Sequence, residues 1–551
     1  MKKFKKLLIS GLLAFTMITA ASCGGGGGDE SQQATSGDKY KIVISCQTEM
    51  GEEEVLRVLK AAYEKKNPDV EIEIKTFSGD GFEQYMLGIA ANQSSSPNII
   101  WTCDTLHSQW DEYFTDLRPY YEQSAETDYS LFYETMLDMA ATHGEFKPTK
   151  NYTNPLGAFD REKDANSDGK EDYKHHSEHG IYYAPRDYNK PAILCNTELF
   201  KELDAAYEKL YKEVTGETEM PSDYKTTHAM LYEIINGEAE WDSMDDLYAF
   251  ARLIAERVVY MQLNSDKRVG QRWKQVAALN LFLEWEPTYT TVLNAYGADI
   301  INDDGTLNLR AHTQVFQDFH DTIYPAEYVV ENKDGESVEA AEILSKAMIT
   351  SNESGVSFSS GNLFMNVCSR PVVLGYNNTL SKIYGTECLD TVKFPVADIA
   401  AGNSGYAISN IWEGQGMTVN GVYKSYTDLS WDFIKFIITE EGQEAAGKTG
   451  LNIPVLKKLY SADTNGGVVP EWRKVESLGG MSHDAWVAGG ELAMKEYNIF
   501  QAKSRASFRN TVRAFFVNLQ KSNYNDGSLE QLIAKTESSY ALLYPADKIR
   551  K

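Results

Sequence analysis

The sequence predicts an α/β protein whose mainly parallel sheets carry helices on both faces. Strand-like runs alternate with amphipathic stripes in units of about 30 residues, the spacing that right-handed crossovers between parallel strands require. The composition, 42% apolar and 24% charged, is that of a globular chain able to bury a sizeable core. At 551 residues, and roughly 150 per domain, length alone suggests three or four units, although large two-lobed proteins of this length exist. Charge narrows the partners. With 53 basic against 80 acidic residues the net charge is −27, which repels phosphate backbones and leaves no basic stripe for nucleic acid.

The first element is an address. Lys2, Lys3, Lys5 and Lys6 precede an apolar run over residues 7–21, the pattern of a secretory signal peptide. Ala20, Ala21 and Ser22 then lead into Cys23, where an ordinary cleaved signal has no need of a thiol. This resembles the bacterial lipobox, which implies that Cys23 is acylated, palmitate included, and becomes the mature N-terminus. Residues 24–28 are all glycine and are followed by Asp29, Glu30, Ser31 and Gln32, too poor in apolar groups to fold. They read as a tether. Beyond the signal, no stretch reaches the roughly 20 consecutive apolar residues that span a bilayer. The other cysteines, Cys46, Cys103, Cys195, Cys368 and Cys388, are an odd and scattered set without a CxxC pair, not a disulfide framework. Cys46, Cys103, Cys195 and Cys368 read as small apolar residues at strand ends or in the core.

From residue 40 the strand and helix signals alternate. Residues 40–46 form an apolar strand. Val55, Leu56, Leu59, Ala62 and Tyr63 share one face of a helix over 53–66 that Asn67 and Pro68 stop. Val70, Ile72 and Ile74 alternate with charges as a half-buried strand. Helical spacing returns over 81–92, and residues 99–103 make a third strand. In such sheets ligands sit beyond the carboxyl ends of the strands, here near Gln47, Asp80 and Asp104. Ser243, three residues before Asp246, caps a helix through Val258. Asn302 to Gly305 reads as a hairpin turn. Stripes over 508–519 and 529–543 close the chain as two helices.

Two polar clusters stand apart. Asp164, Asn166, Asp168 and Asp172 place oxygens at positions 1, 3, 5 and 9 of a tight turn, with the Lys170 carbonyl at 7, the hard ligands calcium prefers. His175 holds position 12 in place of a bidentate Glu. The segment is either a calcium loop, structural if occupied, or a solvated acidic turn. His175, His176, Glu178 and His179 lack the spacing that sets two imidazoles one helical turn apart, so they read as a polar loop.

Several separated segments carry a family pattern in one order. They are Ser96 to Trp101 leading to Asp116, Leu117, Arg118 and Pro119; Gly180 to Pro185 with Asn196 to Phe200; and Trp241 with Asp246 and Leu247. Then come residues 295–309; Phe358, Gly361, Asn362 and Phe364; Gly414 to Met417; Ser430 to Phe436 with Glu440 to Gln443; and Gly450 to Val455. Together, over about residues 40–455, they resemble the extracellular solute-binding proteins of bacterial ABC importers, in the carbohydrate-binding branch related to maltose-binding protein. Arg370 stands where that family often has an aromatic residue, and the 30-odd residues before Gly180 are an insertion relative to it.

The resemblance implies a periplasmic-binding-protein-like type II fold, two α/β lobes closing on a ligand between them. It divides the chain into signal 1–22, tether 23–38, one lobe of 39–184 with 395–455, and a second of 185–394 with 456–551. Crossovers fall near residues 184–187 and at Phe394 and Pro395, with a third passage after Pro454. It also implies an extracytoplasmic, lipid-anchored monomer that needs no cofactor and delivers a solute, an oligosaccharide, to permease subunits. A sugar cleft wants aromatic rings for C–H faces and polar groups for hydroxyls. The candidates are Asp80, Trp101, Asp104, Tyr183, Arg186, Asp187, Trp285, Tyr289, Arg370, Trp412, Glu413 and Gly414. Each Trp can equally be core, and Asp80 a helix cap. Arg186, at a crossover, must either pair with a buried acid or face the cleft. On the cleft reading, Trp101→Ala and Arg186→Ala weaken binding with little loss of fold. The competing reading is a secreted glycoside hydrolase with two catalytic carboxylates. Against an enzyme, the chain has no Gly-x-Ser-x-Gly elbow, phosphate loop or zinc motif.

Overall fold

The computed structural model describes residues 39–48, 51–78, 84–89, 96–103, 110, 113–141, 180–239, 241–302, 306–350, 356–395, 399–409, 416–419, 423–451, 453–474, 481, 484–487, 494–495, 505–522, 524 and 527–543. The signal, the tether with Cys23, the Asp164 to Asp172 turn and the histidine cluster lie outside them.

Strand β1 (Tyr40–Gln47) feeds helix α1 (Glu52–Lys66), and β2 (Val70–Phe77) returns parallel to β1. α1 begins where Gly51 takes φ 75, a left-handed turn that glycine adopts without strain. Glu52, Glu53 and Glu54 stand in its first turn and Lys65 and Lys66 in its last, matching the helix dipole. Its stripe of Val55, Leu56, Leu59 and Tyr63 is buried as the spacing predicts. β3 (Ile99–Cys103) pairs parallel on the other side of β1.

Of the remaining strands of this sheet, β4 (Ala184–Asn189) leads out to the other lobe and β10 (Ala400–Ile408) returns from it. The two pair antiparallel, and β10 also runs antiparallel to β3. The short β11 (Ile453–Pro454) closes the edge beside β4, and β12 (Met494–Lys495) pairs with β10. The second sheet has the order β9 (Leu389–Val392), β5 (Ala192–Asn196), β8 (Leu363–Cys368), β6 (Ala277–Asn280), β7 (Ile349–Thr350). There β6, β7 and β8 are parallel, and β5 runs antiparallel to β8 and β9. Both sheets are thus parallel in their βα units and antiparallel where the chain enters from the opposite lobe.

The first crossover lies at Lys190 and Pro191, later than the expected 184–187, because β10 holds Ala184–Asn189 in the first sheet. The return falls after β9 ends at Val392 and before β10 begins at Ala400, with Phe394 and Pro395 at its start. After Pro454 the chain does not leave at once. Tyr460 packs edge-on to Tyr133, and the Trp472 indole donates to the Leu459 carbonyl, so 456–474 belongs with the first lobe.

Helix α2 (Thr197–Thr215) follows β5, and α3 (Met244–Asn264) begins with the reciprocal Ser243 and Asp246 capping box that the sequence predicts. Two cores result. One fills the first lobe and continues onto a face of the second sheet through Leu194, Leu363 and Cys368. The other covers the opposite face with α3, α4 (Glu286–Ala295) and the closing helices α5 (Arg505–Leu519) and α6 (Leu529–Leu543). Cys46, Cys195, Cys368 and Cys388 are buried free thiols, and Cys103 is half-buried.

Candidate functional site

At the carboxyl end of the first sheet a β-bulge places the site. Asp187 pairs with Ser404 and Pro185 with Gly405, so Arg186 is the extra residue on β4 and its side chain is re-aimed. Gly405 is required there, since a Cβ would lie 1.9 Å from the Ala184 carbonyl oxygen. The re-aimed guanidinium donates from Nη1 and Nη2 to the two oxygens of Glu52, at 2.7 and 2.6 Å. It also donates from Nε to Asp187 at 3.0 Å and from Nη1 to the Tyr406 hydroxyl at 2.9 Å. Ser404 donates to Asp187 at 2.9 Å, and the Trp101 indole lies close enough to Glu52 to favour its charged form. Gln443 fixes the backbone, donating to the Arg186 carbonyl at 2.8 Å.

Burial sets the electrostatics. It pushes the Glu52 carboxyl above the ordinary carboxylate range, against the opposing pull of Arg186. It also works against the Arg186 charge, but Asp187 and Glu52 outweigh it and hold the guanidinium well above its usual value. One cation therefore serves two buried acids.

The facing edge belongs to the second sheet. The Asn280 amide donates to Asn366 at 3.1 Å, tying the ends of β6 and β8, while its oxygen accepts the Phe282 N–H at 3.0 Å. Phe282 sits at φ 51, a costly conformation for a non-glycine residue. That turn delivers Glu284, Trp285 and Glu286 to the start of α4, which packs against β10 of the other lobe. Trp285 is half-buried, and the buried Glu284 keeps Oε2 without a hydrogen-bond partner among the described residues.

No protein-family model matches the chain, and no curated protein sequence matches it. Solved structures do. The GacH receptor of Streptomyces glaucescens, solved unliganded and with acarbose, aligns over 92% of this chain and 98% of its own at TM-score 0.56 and 12% identity. The substrate-binding protein Lmo0181 of Listeria monocytogenes, solved with cycloalternan, aligns over 92% and 99% at 0.56 and 12%. Maltose-bound MalE3 of T. maritima aligns over 92% and 100% at 0.54 and 11%. The chain has the two-lobed fold of the solute-binding proteins.

The predicted residues distribute unevenly about the two facing edges. Trp101, Arg186 and Asp187 come together in the buried cluster, and Trp285 stands on the opposite edge. Tyr183 is buried nearby, its hydroxyl bonded to Asn403, whose amide donates to the Met136 carbonyl at 3.0 Å. Tyr289 instead stacks on Phe516 at 5.5 Å inside the second core. Arg370 is buried, donating to the carbonyls of Gly450 and Trp472 and lying 5.1 Å from the Trp472 ring, so it joins the lobes. Asp80, Asp104, Trp412, Glu413 and Gly414 lie outside the described residues. Of the two roles open to Arg186, the structure gives it the buried acids, and Arg186→Ala would cost fold as well as any binding.

Glu52, Ser404, Tyr406 and Lys190 complete the region and were not among the predicted residues. Glu52 reads in sequence as one of three acids in a helix's first turn. Its partner is 134 residues away, a distance local pattern does not bridge.

Proposed function

We propose that this protein captures a solute, an oligosaccharide, between its two lobes and presents it to the membrane subunits of an ABC importer. The observation that carries the reading is the pair of α/β lobes joined by repeated chain crossings, with polar and aromatic side chains at the edges that face each other. The solved neighbours, bound to acarbose, cycloalternan and maltose, support a saccharide. Mechanistically, solute touching both edges stabilises the closed arrangement by its differential contacts. In this reading the protein is a monomeric binder rather than an enzyme. Cys23 bears the acyl anchor that keeps it at the outer face of the cell membrane, and among the described residues no helix is long and apolar enough to cross one.

The test is thermal unfolding of the mature, unlipidated protein against an oligosaccharide panel, followed by a turnover assay on any saccharide that binds. Native-state binding raises the midpoint in proportion to RT ln(1 + [L]/Kd), about 2.7 kcal/mol at a hundredfold excess over Kd. Binding without turnover is the expected result, and hydrolysis of the bound saccharide would overturn it. The same titration with calcium and with chelator decides whether the Asp164 to Asp172 turn holds the cation or is solvated.

A further inference from the structure

Lys190 is the residue at which the chain passes from one lobe to the other. Its side chain is 0% exposed, and Nζ has no hydrogen-bond partner among the described residues. A buried ammonium without a partner is among the most expensive groups a fold can hold, and a group left so in a native protein calls for something outside the chain to complete it. Its place says what that is. In the second sheet Ala192 pairs with Cys368, so Lys190 and Arg370, each two residues beyond that pair, lie at the same sheet edge. That edge faces the other lobe, as the Arg370 bonds to Gly450 and Trp472 require. Arg473 adds a third cation, close enough to help push Arg370 down, after burial, to about 9.

The buried acids of the Arg186 cluster are committed: Asp187 and Glu52 hold Arg186, and Ser404 donates to Asp187. Glu284 and Glu286 stand beyond β6, separated from β5 by strand β8. A protein of net charge −27 thus keeps a positive floor at the pivot between its lobes. A neutral hydroxyl could solvate Nζ without neutralising it, whereas an oxyanion does both.

We propose, resting on the solute-binding reading above, that Lys190 is the anchor of a ligand subsite for an anionic group, and that the solute is an acidic saccharide bearing a carboxylate or sulfate. Asn189, whose Oδ1 also lacks a partner among the described residues, offers an acceptor beside it for a neighbouring sugar hydroxyl. Burial alone holds the Lys190 ammonium down to about 7. An arriving anion favours the charged form, so binding is accompanied by proton uptake near neutrality.

The experiment is isothermal calorimetry on the mature protein with matched saccharides, uronate and sulfated oligomers against neutral ones of the same linkage, in two buffers of different ionisation enthalpy. Wild type, Lys190→Met and Lys190→Arg are compared. The expected result is an acidic saccharide that binds with proton uptake, about 30-fold or more weaker binding in Lys190→Met, and partial recovery in Lys190→Arg. Lys190→Met removes a buried charge, so its folding, read by the unfolding midpoint, is expected to match or exceed wild type. Binding of neutral saccharides alone, or acidic binding that Lys190→Met leaves unchanged, overturns the anionic subsite and leaves the solute reading standing. Equal weakening of neutral and acidic ligands assigns Lys190 to lobe closure and also overturns it. If no saccharide of either kind binds, both readings fall together.

Discussion

At Arg186 two buried carboxylates compete for one guanidinium, and removing it leaves both without their cation. Breaking a buried pair from one side costs about 3–5 kcal/mol. Arg186→Ala is therefore expected to lower the chemical-denaturation free energy by that order, whereas Arg186→Lys, which keeps the charge but loses the fork, is expected to lose less. An Arg186→Ala variant as stable as wild type would remove the cluster's structural role. Lys190 behaves oppositely. Its folded pKa, about 7, lies below the ordinary lysine value of 10.5. Below pH 7 both states hold the proton, and between pH 7 and 10.5 the unfolded state alone binds it, so this group's contribution to stability rises with pH across that window. The full effect is on the order of 4 kcal/mol. Unfolding midpoints of wild type and Lys190→Met should therefore differ most at pH 6, with the variant higher, and converge toward pH 10.

At the scale of elements, the bulge between β4 and β10 is the device that builds the site. Gly405→Ala drives a Cβ onto the Ala184 carbonyl, and backbone cannot yield as a side chain would. We expect a loss of stability of about 2 kcal/mol, and Arg186-dependent stability should fall with it, as a double-mutant cycle would show. Ser243→Ala should cost about 1 kcal/mol by opening the capping box of α3. That box, the α1 stripe and the Leu529–Leu543 helix were legible because each is written in residues three or four apart. The crossover was misplaced by a few residues because the order of family motifs locates it only roughly, and only the register with β10 says which sheet owns Ala184 to Asn189. The same limit governs the site. Trp101 and Arg186 could be nominated by chemistry, yet whether Arg186 met an acid or the cleft depended on Glu52, and the burial of Tyr289 depended on Phe516.

Across the whole molecule, Arg370 is the contact that ties the lobes on the pivot side. It leaves the end of β8, donates to Gly450 and Trp472 of the first lobe, and lies over the Trp472 ring. Charge-assisted hydrogen bonds of this kind contribute about 1.5–3 kcal/mol each, and here two carbonyls from separate segments share one guanidinium. Because the clasp sits beside the Ala192 and Cys368 pair, next to the crossover, the lobes can pivot about it without breaking it. Its loss should therefore widen the range of lobe arrangements rather than unfold either core. Arg370→Ala is expected to raise the radius of gyration of the unliganded protein in small-angle scattering, and ligand should restore the compact value at the price of weaker apparent affinity. Arg370→Lys keeps a cation but cannot donate to both carbonyls in the plane of the indole, so it should fall between the two. An unchanged radius together with unchanged affinity would show that the pivot is fastened by apolar packing of the first core across the second sheet, through Leu194, Leu363 and Cys368.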